Sequence, residues 1–315
     1  MGFPTKPPPA RPDRRRVFVS TRHGIPRPNR RVVPLPPGEL TAWVRSALAE
    51  DLGSGDVTTD AVIPASARWS ARMVAREPMV LAGLELALAA FRELDPAMVF
   101  RDVLADGQAV EARATLAVVE GSARALLSAE RVALNMVQRL SGIATQTARY
   151  VKALHGTRTR ILDTRKTTPG WRRLEKYAVA CGGGTNHRQG LDDLVLIKDN
   201  HRAALREALP NPIAAAVARA RACHHHLRIE VEADTLEQVR QALDAGADII
   251  LLDNMGLDDL RTAAAWCHGR ALTEASGGVT LERLPAIAAT GVDFISSGAL
   301  THAARWVDIG LDFDP

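Results

Sequence analysis

One apolar run in this chain ends abruptly in an acid, and it reads Ala247-Asp-Ile-Ile-Leu-Leu-Asp253. Its apolar residues occupy consecutive positions, which is typical of a strand that is buried on both faces in a parallel sheet covered by helices. Three similar runs, 228–232, 271–275 and 292–296, also end in a polar residue or directly before one. The polar ends are Glu232, Asp253, Ser276 and Ser297, at intervals of 21, 23 and 21 residues. Each interval is the length of one strand plus one helix.

Helical patterns separate these runs. The segment 235–245 has helical periodicity, and Gly246 follows it as a typical C-terminal stop. Repeated strand–helix units predict an α/β barrel, in which the reacting groups lie at the carboxyl ends of the strands. Each polar residue that closes a run is therefore a site candidate, although any one of them alone could equally be an ordinary loop residue. The candidates are Asp163, Lys198, Glu232, Asp253, Ser276 and Ser297.

A cation-rich stretch precedes these units. It consists of Asp163-Thr-Arg-Lys-Thr-Thr-Pro-Gly170, Gly182-Gly-Gly-Thr-Asn-His-Arg188 and Lys198-Asp-Asn-His201. Two arginines, two lysines and two histidines lie there beside glycine-rich loops, which suits a small ligand with several negative charges. A triple glycine alone is weak support, since it is also a common tight turn. The combined pattern predicts an enzyme that acts on an anionic substrate.

A second, smaller domain is predicted before the barrel. Alternating segments at 71–75, 99–104 and 114–119 read as strands of an α+β domain. A helix is expected from Pro37 to Leu48, followed by a turn-rich loop over 50–60 that lacks the final glutamate of a calcium loop. A long helical region, 123–154, follows the strands, and Ser141-Gly142 is predicted to break it as a hinge between the domains.

The composition limits the classes of protein to which this chain can belong. The 315 residues are 46% hydrophobic and contain three widely spaced cysteines, which indicates neither a disulfide framework nor a paired-cysteine metal site and favours a reducing cytoplasm. No apolar run is long enough to span a bilayer, and the N-terminus lacks the apolar core of a secretory signal. His224-His-His226 beside Cys223 invites a metal-site interpretation, but consecutive side chains diverge, so we disfavour it.

The first residues differ from the rest. Residues 1–31 carry nine basic residues against one acid, a net charge of +8, so the remaining chain is net −4. Ten of the 18 prolines lie between Pro4 and Pro37. We therefore predict a disordered, solvated tail over 1–36, with RNA or an acidic surface as a weaker alternative for its partner. An initiation codon assigned upstream of the true one would also explain this basic, proline-rich segment.

The motifs together resemble those of the quinolinate phosphoribosyltransferase family, also called nicotinate-nucleotide pyrophosphorylase (carboxylating). The matching segments lie in order at 50–60, 129–144, 163–167, 182–188, 196–201, 229–232, 251–254, 274–278 and 297–302. The resemblance implies an N-terminal α/β sandwich over 37–142, to which 303–315 returns, and an incomplete, seven-stranded, TIM-like α/β barrel over 143–302. It also implies a homodimer or a dimer of dimers.

The implied reaction joins quinolinate to 5-phosphoribosyl-1-pyrophosphate with Mg²⁺ and yields nicotinate mononucleotide, pyrophosphate and CO₂ in de novo NAD biosynthesis. Carried over residue by residue, the resemblance gives three sets of site residues. Quinolinate would be bound by Arg131 from the partner subunit, Arg165, His187, Arg188 and Lys198. The phosphoribosyl donor would be bound by Lys166, Glu232, Asp253, Ser276, Gly277, Gly278, Ser297 and Gly298. Lys166, Lys198, Glu232 and Asp253 would be catalytic.

The sequence alone leaves three points open. Glu232 and Asp253 are the expected Mg²⁺ ligands, but Glu230 lies on the same strand face two residues earlier, so the choice of glutamate is unsettled. Within the fold, the alternatives are a nicotinate phosphoribosyltransferase and the pyrophosphorylase-like paralogue associated with molybdenum transport. An alternative of another class is a barrel-shaped RNA-binding protein that uses the basic tail. We expect small-molecule substrates, no membrane and no nucleic acid.

Overall fold

A computed structural model describes residues 35–314, without the side chain of Pro37. The predicted tail, 1–36, lies almost entirely outside the described residues. The strands are β1 (Arg68–Ala75), β2 (Met79–Val80), β3 (Val99–Arg101), β4 (Ala109–Val110), β5 (Thr115–Ser122), β6 (Arg160–Leu162), β7 (Val195–Ile197), β8 (Ile229–Ala233), β9 (Ile249–Asp253), β10 (Leu272–Ser276), β11 (Phe294–Ser296) and β12 (Ile309–Asp314).

Helices connect and cover these strands. They are α1 (Pro37–Leu52), α2 (Val57–Val62), α3 (Leu84–Leu94), α4 (Ala123–Ala153), α5 (Arg172–Cys181), α6 (Asp199–Ala204), α7 (Pro212–Cys223), α8 (Leu236–Asp244), α9 (Leu257–Cys267), α10 (Leu284–Ala288) and α11 (Ala299–His302), with a 3₁₀ turn at Leu281–Arg283. None of those described is long and apolar enough to cross a lipid bilayer.

The N-terminal sheet is antiparallel and has the order β12-β1-β5-β3. Ala71 lies opposite Val119 and Met73 lies opposite Ala117, and all four side chains are buried. The alternation of buried and exposed residues along β1 therefore defines the face that packs on the core. β12, the last strand of the chain, completes this sheet by pairing with β1.

The second sheet is parallel and has the order β6-β11-β10-β9-β8-β7. Thr185 adds an isolated parallel bridge to Leu162 beside β6, which marks the position of the expected seventh strand. Among the described residues, Thr185 and β7 do not pair with each other, so the barrel is incomplete. Every residue of β8 is buried, as predicted for a strand that is covered on both faces.

The helix α4 runs without interruption from Ala123 to Ala153, so the predicted break at Ser141-Gly142 is wrong. The Ser141 hydroxyl accepts a hydrogen bond from the Ala82 N–H (2.9 Å) and donates one to the Ala82 carbonyl (3.2 Å). A Cβ on Gly142 would collide with the carbonyl oxygen of Arg305. Both residues are therefore explained by the close approach of other backbone segments to an intact helix.

The predicted turn-rich loop over 50–60 is shorter than expected. Helix α1 extends to Leu52, and α2 begins at Val57. Asp56 caps α2 by accepting a hydrogen bond from the Thr59 N–H at 3.0 Å, and Ser128 on α4 donates to the same carboxylate at 2.9 Å. The acid at this position thus starts a helix and ties it to α4.

Candidate active site

The carboxyl ends of the barrel strands bring four of the predicted residues to one edge of the sheet. Asp253 on β9 lies opposite Ser276 on β10, and Glu232 on β8 lies opposite Leu251, two residues before Asp253. Lys198 follows β7, and its ammonium group forms an ion pair with Glu232. The Asp199 N–H also donates to Glu232, at 3.4 Å. The predicted ring of polar residues is therefore real at Lys198, Glu232, Asp253 and Ser276.

Arg165 and Arg188 lie close enough for their charges to interact. Arg165 follows β6, and its Nε and Nη1 atoms are buried without a hydrogen-bond partner among the described residues. Burial lowers the pKa of Arg188, and the charge of Arg165 lowers it further, although Glu230 and Asp193 oppose both effects. Buried cationic donors without partners are costly, and a bound anion would supply the missing acceptors. This pair is therefore a candidate anion site.

Lys166 lies next to Gly298. A Cβ at Gly298 would approach the Lys166 Cδ to 2.8 Å, so the lysine stem crosses the glycine backbone. Ser297 is already bonded within the protein, because its N–H donates to the Leu162 carbonyl at 3.0 Å and its hydroxyl is hydrogen-bonded to Tyr150. Of the two predicted phosphate-binding positions here, Gly298 is the one that lies against the Lys166 side chain.

The loop after β10 has the backbone conformation that only glycine adopts easily. Gly277 has φ +90°, and a Cβ there would collide with the Asn254 side chain. The 3₁₀ turn and α10 that follow Gly278 have three and five residues, and α11 after Gly298 has four. Helices this short have weak dipoles and add little to the binding of a phosphate group. Any anion binding here rests on the backbone N–H groups themselves.

The sequence predicted Asp163 at the mouth of the barrel. In the structure its side chain is completely buried beneath the mouth. It forms an ion pair with Lys176, which is buried as well, and accepts hydrogen bonds from the His187 N–H (2.8 Å) and the Asn186 amide (2.7 Å). Burial raises the pKa of Asp163 and lowers that of Lys176, while the attraction between the two charges opposes both shifts. Asp163 therefore anchors the segment that carries Arg188.

His187 uses both of its ring nitrogens inside the protein. Its Nε2 lies 3.1 Å from Glu230 and 3.3 Å from Glu274, and both carboxyl groups are buried. Its Nδ1 accepts a hydrogen bond from the Arg188 N–H at 2.7 Å. In this arrangement His187 orients Arg188 and has no free donor for quinolinate, which differs from its predicted role as a direct ligand.

The His187, Glu230 and Glu274 cluster retains an extra proton. Burial lowers the pKa of His187, but the charges of Glu274 and Glu230 outweigh this and raise it to about 10. Burial, followed by the charge of Glu274, raises the pKa of Glu230 to about 7. Because Nδ1 accepts from Arg188, the proton that the cluster holds lies on the Nε2 side of the ring, shared between His187 and the two carboxyl groups. The three groups therefore titrate together.

This cluster also resembles a metal site, since one ligand atom from each side chain lies within 4.8 Å of the others. The hydrogen bond from Arg188 to Nδ1 argues against that interpretation. With Nδ1 acting as the acceptor, the imidazole hydrogen lies on Nε2. A metal ion between the two carboxylates would need the lone pair of that same nitrogen. We therefore assign the cluster a positioning role.

The stability of the protein should fall as the pH rises from about 6.5, the ordinary pKa of an exposed histidine, towards 10. The folded-state pKa of His187 lies above that of the unfolded chain, so its contribution is complete below about 6.5 and is lost towards about 10. Thermal unfolding of the wild type and of His187→Gln between pH 6 and pH 10 tests this. We expect the variant to show the flatter profile; an equal slope in both proteins would contradict the assignment.

Three residues at the site were not predicted from the sequence. Glu274 precedes Ser276 by two positions, so the same alternation that indicated Glu230 could have identified it. Glu175 on α5 and Arg139 on α4 form a buried ion pair under the loop that carries Lys166, and no local pattern indicates it. Arg131, also on α4, is exposed at the surface of the described chain.

Comparison with known proteins gives the family. Residues 56–141 match the model of the quinolinate phosphoribosyl transferase N-terminal domain, and residues 143–312 match that of the C-terminal domain. The chain is 45% identical over 285 residues to a probable nicotinate-nucleotide pyrophosphorylase [carboxylating] of Synechocystis sp., covering 86% of this chain and 92% of the relative. It is 46% identical over 275 residues to the Bacillus subtilis protein with the same description, covering 87% and 93%.

A solved structure agrees with this result. The nicotinate-nucleotide pyrophosphorylase from Francisella tularensis matches with a TM-score of 0.84 and 39% identity, over 90% of this chain and 99% of that one. The chain therefore belongs to the quinolinate phosphoribosyl transferase family.

Proposed function

We propose that this protein transfers the phosphoribosyl group of 5-phosphoribosyl-1-pyrophosphate to quinolinate with loss of CO₂, as a step of de novo NAD biosynthesis. The products are nicotinate mononucleotide and pyrophosphate. The observation that carries the proposal is the candidate anion site, in which the buried Nε and Nη1 atoms of Arg165 have no hydrogen-bond partner among the described residues and Arg188 lies nearby. The descriptions of the relatives agree with this activity.

Quinolinate has two adjacent carboxylates, which match two adjacent guanidinium groups. Each planar guanidinium can donate two parallel hydrogen bonds to a carboxylate. Arg165 and Arg188 would bind the substrate from this subunit, with Lys198 close by at the end of β7. Nicotinate has one carboxylate and would leave one buried cation unpaired, which disfavours it.

The phosphoribosyl donor would lie across the carboxyl ends of β8 to β11. Lys166 and the backbone N–H groups of Gly277, Gly278 and Gly298 are suited to its phosphate groups. Glu232 and Asp253 lie on neighbouring strands and offer hard oxygen ligands, which suits both ribose hydroxyls and Mg²⁺. Bound there, Mg²⁺ would neutralise charge on the pyrophosphate.

The reaction consists of two bond changes, and the described residues are suited to the first of them. The pyridine nitrogen of quinolinate attacks C1 of the ribose as the bond from C1 to the pyrophosphate oxygen breaks. Glu232 and Asp253, together with Lys166, stabilise the charges that separate in this step. The positive pyridinium then accepts the electron pair left when the bond between C2 and the 2-carboxylate breaks, and C2 takes up a proton. Arg165 and Arg188 hold the acid but must release the departing carboxylate.

A homodimer is part of the same proposal, with Arg131 entering the site of the partner subunit. Its exposure on α4 suits this role. Mixing Arg131→Ala with Arg165→Ala protein should restore partial activity, because one site of a mixed dimer would then be intact. Failure to recover activity despite proven subunit exchange would contradict a shared site.

A cytoplasmic location also belongs to the proposal. Cys181, Cys223 and Cys267 are free thiols, as is usual in a reducing compartment.

The test is an assay of the purified protein with Mg²⁺, 5-phosphoribosyl-1-pyrophosphate and either quinolinate or nicotinate. We expect mononucleotide and CO₂ in equal amounts from quinolinate, and no product from nicotinate. Turnover of nicotinate alone would indicate a nicotinate phosphoribosyltransferase. If neither acid reacted, the transport-associated paralogue would become the better hypothesis, and salt-dependent RNA binding that is lost on removal of residues 1–31 would support the binding-protein alternative.

A further inference from the structure

The loop between β6 and α5 carries Arg165 and Lys166, although it has no regular secondary structure. Its own hydrogen bonds are local: the Lys166 N–H donates to the Thr164 hydroxyl at 3.0 Å, and the Thr167 N–H donates to the Arg165 carbonyl at 2.9 Å. Such bonds shape a turn but do not fix it relative to the barrel. Since the loop must hold charged groups in place for binding, its external contacts decide how well the site is organised.

One of these external contacts is a buried ion pair. The Glu175 carboxylate is completely buried and accepts hydrogen bonds from the Thr168 hydroxyl (2.9 Å), the Thr168 N–H (3.2 Å) and Arg139 (2.7 Å). Arg139 also donates to the carbonyls of Thr301 (2.8 Å) and Ala304 (2.9 Å). The pair thus connects the end of the loop with the segment around α11.

A single hydroxyl group makes the second connection. Thr301 is completely buried on α11, and its hydroxyl lies 2.7 Å from the Lys166 carbonyl oxygen and 3.1 Å from that of Gly298. The hydroxyl has one hydrogen to donate, and the shorter distance favours Lys166 as the acceptor. The backbone of Lys166 is therefore tied directly to the helix that follows Gly298.

We propose that Thr301 is a positioning residue, which holds Lys166 over Gly298 so that both can grip a phosphate group of the phosphoribosyl donor. The proposal rests on the proposed function of the site. The Lys166 stem already crosses Gly298, with Cδ 2.8 Å from the position that a Cβ there would occupy. Without the Thr301 hydroxyl, nothing else among the described hydrogen bonds holds the Lys166 carbonyl.

The expected defect is selective for one substrate. Arg165 and Arg188 face quinolinate, and the Arg188 segment is anchored separately on Asp163. Loss of the Thr301 hydroxyl should therefore impair use of 5-phosphoribosyl-1-pyrophosphate more than binding of quinolinate. Supporting hydrogen bonds of this kind, known best from metal sites, typically change activity by about 10- to 100-fold.

Thr301→Val tests this with little change in shape, and Thr301→Ser restores the hydroxyl. The control is Thr290→Val: Thr290 is also buried, its hydroxyl donates to the Ile287 carbonyl at 2.6 Å, and it precedes the opposite end of β11. Steady-state kinetics with each substrate varied, calorimetric binding of quinolinate and of the phosphoribosyl donor, and thermal unfolding would be measured for all four proteins.

We expect Thr301→Val to lower kcat/KM for the phosphoribosyl donor by roughly 10- to 100-fold, and Thr301→Ser and Thr290→Val to stay within about threefold of the wild type. Quinolinate affinity should change less than the affinity for the phosphoribosyl donor, because the Thr301 hydroxyl bonds to Lys166 directly and reaches Arg165 only through the chain. Wild-type kinetics in Thr301→Val, or an equal loss in Thr301→Ser, would overturn the proposal. A wild-type protein that fails to convert quinolinate would instead refute the proposed function, and donor affinity measured by calorimetry would still decide the role of Thr301.

Discussion

Arg165→Ala should lower kcat/KM for quinolinate by roughly 30- to 5,000-fold. Removal of one partner of a buried, hydrogen-bonded charge pair costs about 2–5 kcal/mol, and about 1.4 kcal/mol corresponds to tenfold in affinity. The buried Nε and Nη1 atoms of Arg165 have no partner among the described residues, so a carboxylate would receive their hydrogen bonds at little cost in reorganisation. Initial rates at limiting quinolinate give the value.

The same substitution should not destabilise the protein without substrate. Buried donor atoms without acceptors lower stability, so the removal of Nε and Nη1 should leave the thermal unfolding midpoint unchanged or slightly higher. Arg165→Lys should recover only part of the activity, because an ammonium group cannot make the bidentate contact. Arg261→Ala, which removes an exposed arginine paired with Asp258 on α9, is the control for loss of a positive charge. A large fall in stability with unchanged quinolinate kinetics would show that Arg165 is structural.

The barrel could be predicted from the sequence because its strands carry their own signal. The apolar runs at 228–232 and 271–275 appear as β8 (Ile229–Ala233) and β10 (Leu272–Ser276), displaced by one residue. Burial on both faces requires consecutive apolar residues, and the polar residue that ends each run lies where the strand leaves the core. The position of Glu232 and Asp253 at one edge follows from this rule alone.

Other features depended on contacts between distant segments. Gly142 is a helix breaker by propensity, but the backbone of Arg305 passes so close that only glycine fits. Asp163 closes a strand as Asp253 does, yet Lys176 on α5 draws it into the interior. The two carboxylates around His187 come from β8 and β10, which neighbour β9 on either side. No local pattern encodes these pairings, because each partner is chosen by the fold.

The buried pair of Asp163 and Lys176 should give the largest loss of stability. We expect Lys176→Met, which keeps the length of the side chain, to lower the free energy of unfolding by about 3–5 kcal/mol, since it leaves an uncompensated buried carboxylate. The exposed Lys152→Met on α4 should change it by less than about 0.5 kcal/mol. Urea unfolding of the two variants and the wild type measures both values.

The double variant Asp163→Asn/Lys176→Met separates the cost of the lone charge from the value of the pair. Replacing both members of a buried ion pair with neutral residues is often close to neutral, so the double variant should be more stable than Lys176→Met alone. It should nevertheless remain poorly active, because Asp163 accepts the hydrogen bonds from His187 and Asn186 that hold the segment carrying Arg188. If Lys176→Met alone unfolded within about 1 kcal/mol of the wild type, the carboxylate would be neutral or solvated in the fold, and the anchoring role of the ion pair would be refuted.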